Sequence, residues 1–163
     1  MTKTVLLIRH AKSSWDSPSA TDFDRPLNER GKRDAQTMAE RMIKKSVPID
    51  LFVSSPALRA KKTAEAFAGF FGRSPGEILF LPELYHASPE VFNQVIAAMD
   101  DRYNHVAIFS HNPGISEFVN GLGGPRLDSM PTCGVFSVSV ASSQWKEFLS
   151  AEKKFLFFDY PKA

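Results

Sequence analysis

Residues 3–11 read KTVLLIRHA and contain the clue to the start of the fold, an apolar run followed by two basic residues. The continuous apolar run at residues 5–8 predicts a buried strand that begins the fold, and we place this strand at residues 3–9. It ends in Arg9 and His10. Ligands of parallel α/β sheets bind where the strands end at their carboxyl ends. These two residues are therefore the first candidates for a functional site.

The rest of the chain alternates between strand and helix patterns. We predict helices over residues 28–45, 56–72, 88–99 and 113–122, and strands over 50–54, 78–81, 105–110, 135–140 and 155–160. In the second helix the apolar residues recur at i, i+3, i+4 and i+7, with Pro56 at its start and Gly72 at its end. The order βαβαβαβαββ predicts an α/β fold: a three-layer α/β/α sandwich with a mainly parallel sheet and helices on both faces. Residues 11–27 and 123–134 lack a periodic pattern and are predicted as loops, the second over the carboxyl edge of the sheet.

Composition restricts the class of protein. The chain has 163 residues, of which 43% are hydrophobic and 23% charged, so we expect one globular domain over residues 1–163 and exclude disordered and collagen-like classes. The single cysteine, Cys133, allows neither an intramolecular disulfide nor a Cys-rich zinc site, and it favours a reducing cytoplasm. The net charge of +2 is too small to indicate nucleic acid or membrane as a partner. No stretch approaches the roughly 20 apolar residues of a membrane span.

Basic residues follow three of the predicted strands. Arg9 is the last residue of the first strand, and His10 follows it. Arg59 comes a few residues after the second strand, and His111 directly follows the fourth. The carboxyl ends of parallel strands meet at one edge, so two imidazoles and two guanidiniums converge there. Such like charges repel one another unless an anion lies between them. The constellation therefore predicts a phosphate-binding site.

These residues resemble the signature of a known family, the histidine phosphatase superfamily. Residues 9–11 read RHA and are similar to its Arg-His-Gly motif, while residues 54–60 (SSPALRA) and 110–112 (SHN) resemble its other phosphate-binding segments. The stretches RHAKSSWD (9–16), DRPLNERG (24–31) and LPEL (81–84) are similar to the small SixA-type phosphohistidine phosphatases in particular. Ala11 in place of glycine, and Asp16 where many relatives have asparagine, count against a mutase or a sugar phosphatase.

The resemblance implies a role for each main residue. His10 is the expected nucleophile, which forms a covalent phosphohistidine, and its second ring nitrogen is expected to be held by a backbone carbonyl. Arg9 and Arg59 are expected to bind phosphate oxygens through their planar forks. His111, when protonated, would complete this cationic clamp. Because such a clamp stabilises the charge that spreads during phosphoryl transfer, we expect no metal and no cofactor.

Three further residues have two interpretations each. Arg25 lies over the phosphate, as the resemblance implies, or forms a loop salt bridge with Asp22 or Asp24. Asn112 offers its backbone N–H to phosphate at the start of the fourth helix, or its side chain caps that helix. Glu83 acts as general acid for the leaving group, or pairs with an arginine of the site.

The function that follows is a metal-independent phosphatase, a monomer that dephosphorylates phosphohistidine in a signalling protein. One alternative is a small-molecule phosphomonoester phosphatase of the same superfamily, which would need Glu83 because an alkoxide leaving group needs an acid. Another is a non-catalytic module that binds a phosphorylated ligand, although such a module would have no need for a nucleophile. We expect the remaining histidines, His86 and His105, to have no part in the site.

Overall fold

The computed structural model describes residues 1–16 and 21–162. Its strands and helices follow in the order β1 (Lys3–Arg9), α1 (Glu29–Lys44), β2 (Leu51–Ser54), α2 (Leu58–Phe70), β3 (Ile78–Phe80), α3 (Pro89–Ala97), β4 (His105–Ser110), α4 (Gly114–Asn120), β5 (Val135–Val140) and β6 (Lys154–Asp159). The predicted α/β fold is confirmed. Short 3₁₀ helices at Pro75–Glu77, Pro82–Leu84 and Trp145–Glu147 were not predicted, because a single turn leaves no periodic pattern in the sequence.

The six strands form one sheet in the order β3-β2-β4-β1-β5-β6. β1 pairs with β4, β4 with β2, and β2 with β3, all in parallel, whereas β5 and β6 are antiparallel to their neighbours. The sheet is thus mainly parallel, as predicted. Its four parallel strands carry their carboxyl ends to one edge.

Alternate residues of β1 supply the two sides of the core. Val5 and Leu7 pack in the cluster that contains the buried side chains of α3 and α4, whereas Leu6 and Ile8 pack in the cluster that contains those of α1 and α2. Successive side chains of a strand point to opposite faces. Because both faces of β1 are covered by helices, all four residues are fully buried, which explains the continuous apolar run.

Two helical glycines allow loops to approach the helices closely. A Cβ atom on Gly31 in α1 would lie 2.0 Å from the carbonyl oxygen of Lys12, and one on Gly114 in α4 would lie 1.7 Å from that of Ala87. Both distances are far below van der Waals contact. The two carbonyls belong to the loops that follow β1 and β3, so the glycines fix loops at the carboxyl edge of the sheet.

None of the helices within residues 1–16 and 21–162 combines the length with the apolar character that a membrane crossing requires.

Replacing Gly31 by alanine is expected to destabilise the protein by about 1–3 kcal/mol, since backbone must move to relieve the overlap. Gly69→Ala in α2 serves as the control, because a Cβ atom there meets nothing within 4 Å. The control is expected to be neutral or stabilising by up to about 1 kcal/mol. Urea denaturation measures the free energy of unfolding of both variants. Equal stability of the two variants would contradict the close approach at Gly31.

Candidate active site

The register of the sheet aligns the strand ends that carry the predicted site residues. Arg9 lies opposite Ser110, and Ser54 lies opposite Phe109. The residues that follow β1 and β4 therefore leave the sheet side by side. The rings of His10 and His111 are brought together as a result, with centroids 5.1 Å apart.

The ring of His10 is held in one tautomer. Its Nδ1 lies 2.7 Å from the carbonyl oxygen of Ala11. A carbonyl oxygen only accepts hydrogen bonds, so Nδ1 is the nitrogen that carries the proton. Nε2 then has a free electron pair in the neutral ring, and Arg59 donates to it from Nε at 3.3 Å.

Arg59 is also bound by the loop that follows β1. Its Nη1 donates to the carbonyl oxygen of Asp22 at 2.6 Å, and its Nη2 donates to the Asp22 carboxylate at 3.2 Å. Tyr85 donates its hydroxyl to the same carboxylate oxygen, Oδ2, at 2.5 Å. Arg59 thus joins the nucleophile candidate to Asp22 and, through it, to Tyr85.

Two further arginines lie against this centre. Arg9 donates to the carbonyl oxygen of Met130 at 2.8 Å. Arg25 donates to Ser13, forms an ion pair with Asp22 at 3.3 Å, and stacks its guanidinium on the ring of Trp15 at 3.6 Å. The pair Ser13–Leu27 forms an isolated antiparallel bridge that closes this part of the loop.

Burial and neighbouring cations keep both site histidines neutral. The pKa of His10 falls to about 3, chiefly because burial disfavours the charged ring and secondly because Arg59, Arg9 and Arg25 repel a further proton. The pKa of His111 falls to about 2, again through burial first and then through His10 and Arg59. The neutral ring of His111 still donates one N–H, so it can bind an anion without the full charge that the sequence led us to expect.

Several buried nitrogens of the cluster have no hydrogen-bond partner among the described residues: Arg9 Nε, Arg25 Nε and His111 Nδ1. The other ring nitrogen of His111 lies 2.8 Å from Ser55 Oγ. Buried polar groups are rarely left unpaired in folded proteins, and an anion with several acceptor oxygens would satisfy such groups.

The structure brings together four of the predicted residues, Arg9, His10, Arg59 and His111, and it places Arg25 beside them. The salt bridge of Arg25 to Asp22 is present, and the guanidinium lies near enough to lower the pKa of Arg9 and His10, while the binding of phosphate by Arg25 stays a prediction.

The side-chain amide of Asn112 is hydrogen-bonded to protein groups. Its Nδ2 donates to Ser129 Oγ at 2.8 Å and to the carbonyl oxygen of Met130 at 3.2 Å, and its Oδ1 accepts from Ser116 Oγ at 2.5 Å. The side chain thus fastens the loop before β5 to the first turn of α4. The helix begins at Gly114 with Pro113 as its N-cap and no side-chain capping bond, so the interpretation of Asn112 as the cap is wrong, and phosphate binding by its backbone N–H stays a prediction.

Glu83 is not brought to the histidines. Its side chain is exposed and lines a surface groove with Leu81, Val91 and Gln94. The reason is the 3₁₀ turn at Pro82–Leu84, in which successive side chains point about 120° apart. Because Leu84 is buried in the core, Glu83 is turned outward. The role of general acid, and equally the pairing with a site arginine, lacks a structural basis.

Sequence reasoning missed the residues that surround the histidines. It gives Asp22 a role only as a partner of Arg25, and it gives Tyr85 none. His86, expected to be ordinary, lines a cavity of about 330 Å³ together with His111 and Asn112. Their position in the sequence could have indicated Tyr85 and His86 as site residues, because both directly follow the turn after β3. For Asp22 no pattern existed, because its place depends on how the loop folds back over Arg59.

Comparison with known proteins gave consistent matches. The family model of the histidine phosphatase superfamily (branch 1) matches residues 5–86. An uncharacterized chloroplastic protein of Arabidopsis thaliana is 26% identical over 155 residues, which cover 90% of this chain and 71% of the relative. A crystal structure from Agrobacterium tumefaciens, provisionally described as the phosphohistidine phosphatase SixA, is 28% identical with a TM-score of 0.81, over 98% of this chain and 99% of that one.

A second solved structure, of the protein histidine phosphatase SixA complexed with tungstate, has the same fold. It is 24% identical with a TM-score of 0.81, over 98% of this chain and 97% of that one.

The lowered pKa values of the two histidines predict a loss of stability in mild acid. An unfolded histidine binds a proton below its ordinary pKa of 6.5, whereas the folded one stays neutral down to about 3 for His10 and about 2 for His111. The unfolded state therefore binds more protons in that window, and stability falls as the pH falls below 6.5. Each histidine is expected to lower the free energy of unfolding at pH 5 by up to about 2 kcal/mol relative to pH 7.

Chemical denaturation of the wild type and of His111→Gln at pH 8, 7, 6 and 5 tests this expectation. The values at pH 8 give the cost of the substitution itself, and the variant is expected to lose less stability between pH 7 and pH 5. An equal loss in both proteins would show that His111 is not neutralised by folding.

Proposed function

The chain belongs to the histidine phosphatase superfamily and is a phosphatase, and on this premise we propose that it hydrolyses phosphohistidine in a protein substrate through a covalent intermediate on His10. The observation that carries the proposal is the state of the His10 ring. Nδ1 is held by Ala11, Nε2 carries the unshared electron pair and accepts a long hydrogen bond from Arg59, and the pKa of about 3 keeps the ring neutral at physiological pH. A neutral imidazole with a fixed free nitrogen is the form that can attack phosphorus.

In the first step, the electron pair on Nε2 of His10 attacks phosphorus, and the bond between phosphorus and the substrate's ring nitrogen breaks. That nitrogen keeps the electron pair, and a proton on the second nitrogen makes the leaving group a neutral imidazole. In the second step water attacks phosphorus, the bond to Nε2 breaks, and inorganic phosphate leaves while a proton goes to solvent.

The cluster around His10 supplies the charge that this transfer needs. Arg9, Arg25 and Arg59 offer guanidinium donors, and His111 offers one N–H. Donors placed in advance around the equatorial oxygens stabilise the transition state of phosphoryl transfer. We propose that these residues do so without a metal ion.

The lack of a placed general acid favours phosphohistidine over a phosphate ester. Glu83 is turned away, and the carboxyl group inside the cluster, Asp22, has a pKa of about 2, held down by its hydrogen bond from Tyr85 and its contacts with Arg59. A group with that pKa does not donate a proton near pH 7. An alkoxide needs such a donor, whereas a protonated imidazole leaves without one. The similarity to the Agrobacterium SixA structure points to the same substrate class.

Substitutions at His10 and Arg59 separate chemistry from binding. We expect His10→Ala to abolish turnover of a phosphohistidine peptide, with or without chelator, while inorganic phosphate still binds. Arg59→Ala is expected to weaken both turnover and the binding of inorganic phosphate. The phosphate affinity should fall by a factor of about ten or more, since one charged hydrogen-bond donor of this kind contributes roughly 1.5–3 kcal/mol.

The control for Arg59 is Arg30→Ala, because Arg30 is an exposed arginine of α1 whose ion pair among the described residues is with Asp34. Phosphate release measures turnover, and calorimetric titration with phosphate measures binding. Full activity of His10→Ala would overturn the covalent mechanism, and loss of wild-type turnover in chelator would overturn metal independence.

A separate variant distinguishes the phosphohistidine enzyme from a small-ester phosphatase. We expect Glu83→Gln to change kcat/KM by less than a factor of about two for both a phosphohistidine peptide and an aryl phosphate, because surface substitutions away from a site have small effects. A large loss on the aryl phosphate, measured by its release of phenolate, would restore Glu83 as a general acid and favour the small-ester function.

A further inference from the structure

A carboxylate lies inside a cluster that is otherwise built to bind an anion. The Asp22 side chain contacts Arg59 at 3.2 Å, Arg25 at 3.3 Å and Tyr85 at 2.5 Å. A phosphoryl group bound by the same arginines would face a negative charge of the protein itself. A site selected only for phosphate affinity would not place an ionised carboxylate there.

The position of Asp22 leaves it accessible to a substrate. Its side chain is 46% exposed, whereas that of Arg59 is only 6% exposed. Oδ2 accepts from both Tyr85 and Arg59, and Oδ1 accepts only from Arg25 among the described residues. An ionised carboxylate offers about four acceptor positions, so it can still accept one hydrogen bond from a group that enters from solvent.

The contacts also hold the carboxylate at a fixed place. Arg59 donates to the backbone carbonyl of Asp22 as well as to its side chain, and Leu58 donates its backbone N–H to the carbonyl of Phe23 at 2.9 Å. Residues 22–23 are therefore fastened to the start of α2. Since the same guanidinium contacts His10, the carboxylate is set at a defined reach from the nucleophile.

We propose that Asp22 is a specificity-determining residue that accepts a hydrogen bond from the N–H of the departing imidazole and so selects phosphoramidate over phosphate ester substrates. This inference rests on the proposed function, since it assigns a residue to the leaving group of that reaction. A carboxylate beside an imidazolium favours the protonated ring, and the retained proton lets nitrogen leave as neutral imidazole when its bond to phosphorus breaks. No proton is transferred to Asp22 in this step.

The same charge works against a phosphate ester. The leaving oxygen of an ester carries no proton and gains negative charge as its bond to phosphorus breaks, so a nearby carboxylate repels it. Asp22 would thus accelerate one reaction and slow the other. A residue that merely held Arg59 in place would affect both reactions in the same direction.

Asp22→Asn tests the proposal, because asparagine keeps an acceptor oxygen for Arg59 and Tyr85 but removes the charge. We expect kcat/KM for a phosphohistidine peptide to fall about tenfold, the effect of one pKa unit on the leaving imidazole, while kcat/KM for an aryl phosphate rises. Asp22→Glu keeps the charge and is expected to keep the wild-type order of the two substrates. Asp24→Asn is the matched control, since Asp24 is an exposed aspartate two residues away whose hydrogen bonds among the described residues go to Thr21.

The outcomes separate this inference from the proposed function. Opposite changes on the two substrates support the role of Asp22. Parallel losses, or no change, overturn it while the phosphohistidine activity of the wild type still stands. A wild type that hydrolyses only the aryl phosphate overturns the proposed function and the inference with it. If Asp22→Asn does not fold, as judged by thermal unfolding, Asp22→Glu decides. The measured quantity is then kcat/KM for the phosphohistidine peptide divided by kcat/KM for the aryl phosphate. A ratio below that of the wild type by a factor of about ten, one pKa unit, would overturn the role of the charge.

Discussion

Three guanidiniums and two imidazoles share the carboxyl edge of β1, β2 and β4, and the surrounding structure serves to keep these groups together without ionising the rings. Burial is the main means, because it removes water that would stabilise a charged imidazole. Repulsion adds to burial, from the arginines at His10 and from His10 and Arg59 at His111, and the pKa of each ring falls well below the ordinary value. The site thus concentrates permanent positive charge on arginine and keeps the ring of His10, the proposed nucleophile, uncharged.

Backbone groups hold this edge together where side chains are committed to the site. The N–H of Cys133 donates to the carbonyls of both Arg9 and His10, at 3.0 and 3.1 Å, and the N–H of Arg9 donates to the carbonyl of Gly134 at 3.2 Å. The end of β1 is therefore fixed by the loop that precedes β5. Further contacts come from the close approach of loops to Gly31 and Gly114. Helices, by contrast, cover the faces of the sheet, while loops surround its carboxyl edge.

The positions of the arginines and of Asp22 suit different parts of the proposed reaction. In the proposed mechanism the guanidiniums offset the charge of the transferring phosphoryl group, while Asp22, which contacts Arg59 and Tyr85, accepts from the leaving group. This arrangement suits a leaving group that is itself cationic before the bond breaks. In the proposed reaction no acid such as Glu83 is needed, and the turn after β3 directs Glu83 outward.

The amino-acid pattern alone predicts the fold class, the order of the elements and the group of candidate residues that the structure brings together. Apolar periodicity and capping residues act locally, and parallel strands place the residues after them at one edge, so the pattern of the chain alone is enough to group Arg9, His10, Arg59 and His111. The residues that surround these four side chains could be identified only in the folded protein. Asp22 and Tyr85 are 63 positions apart and meet because the loop after β1 folds back over Arg59, whereas Glu83, two positions from Tyr85, faces away from the site because Leu84 is buried. Such contacts depend on long-range packing of loops, which leaves no period or spacing in the sequence.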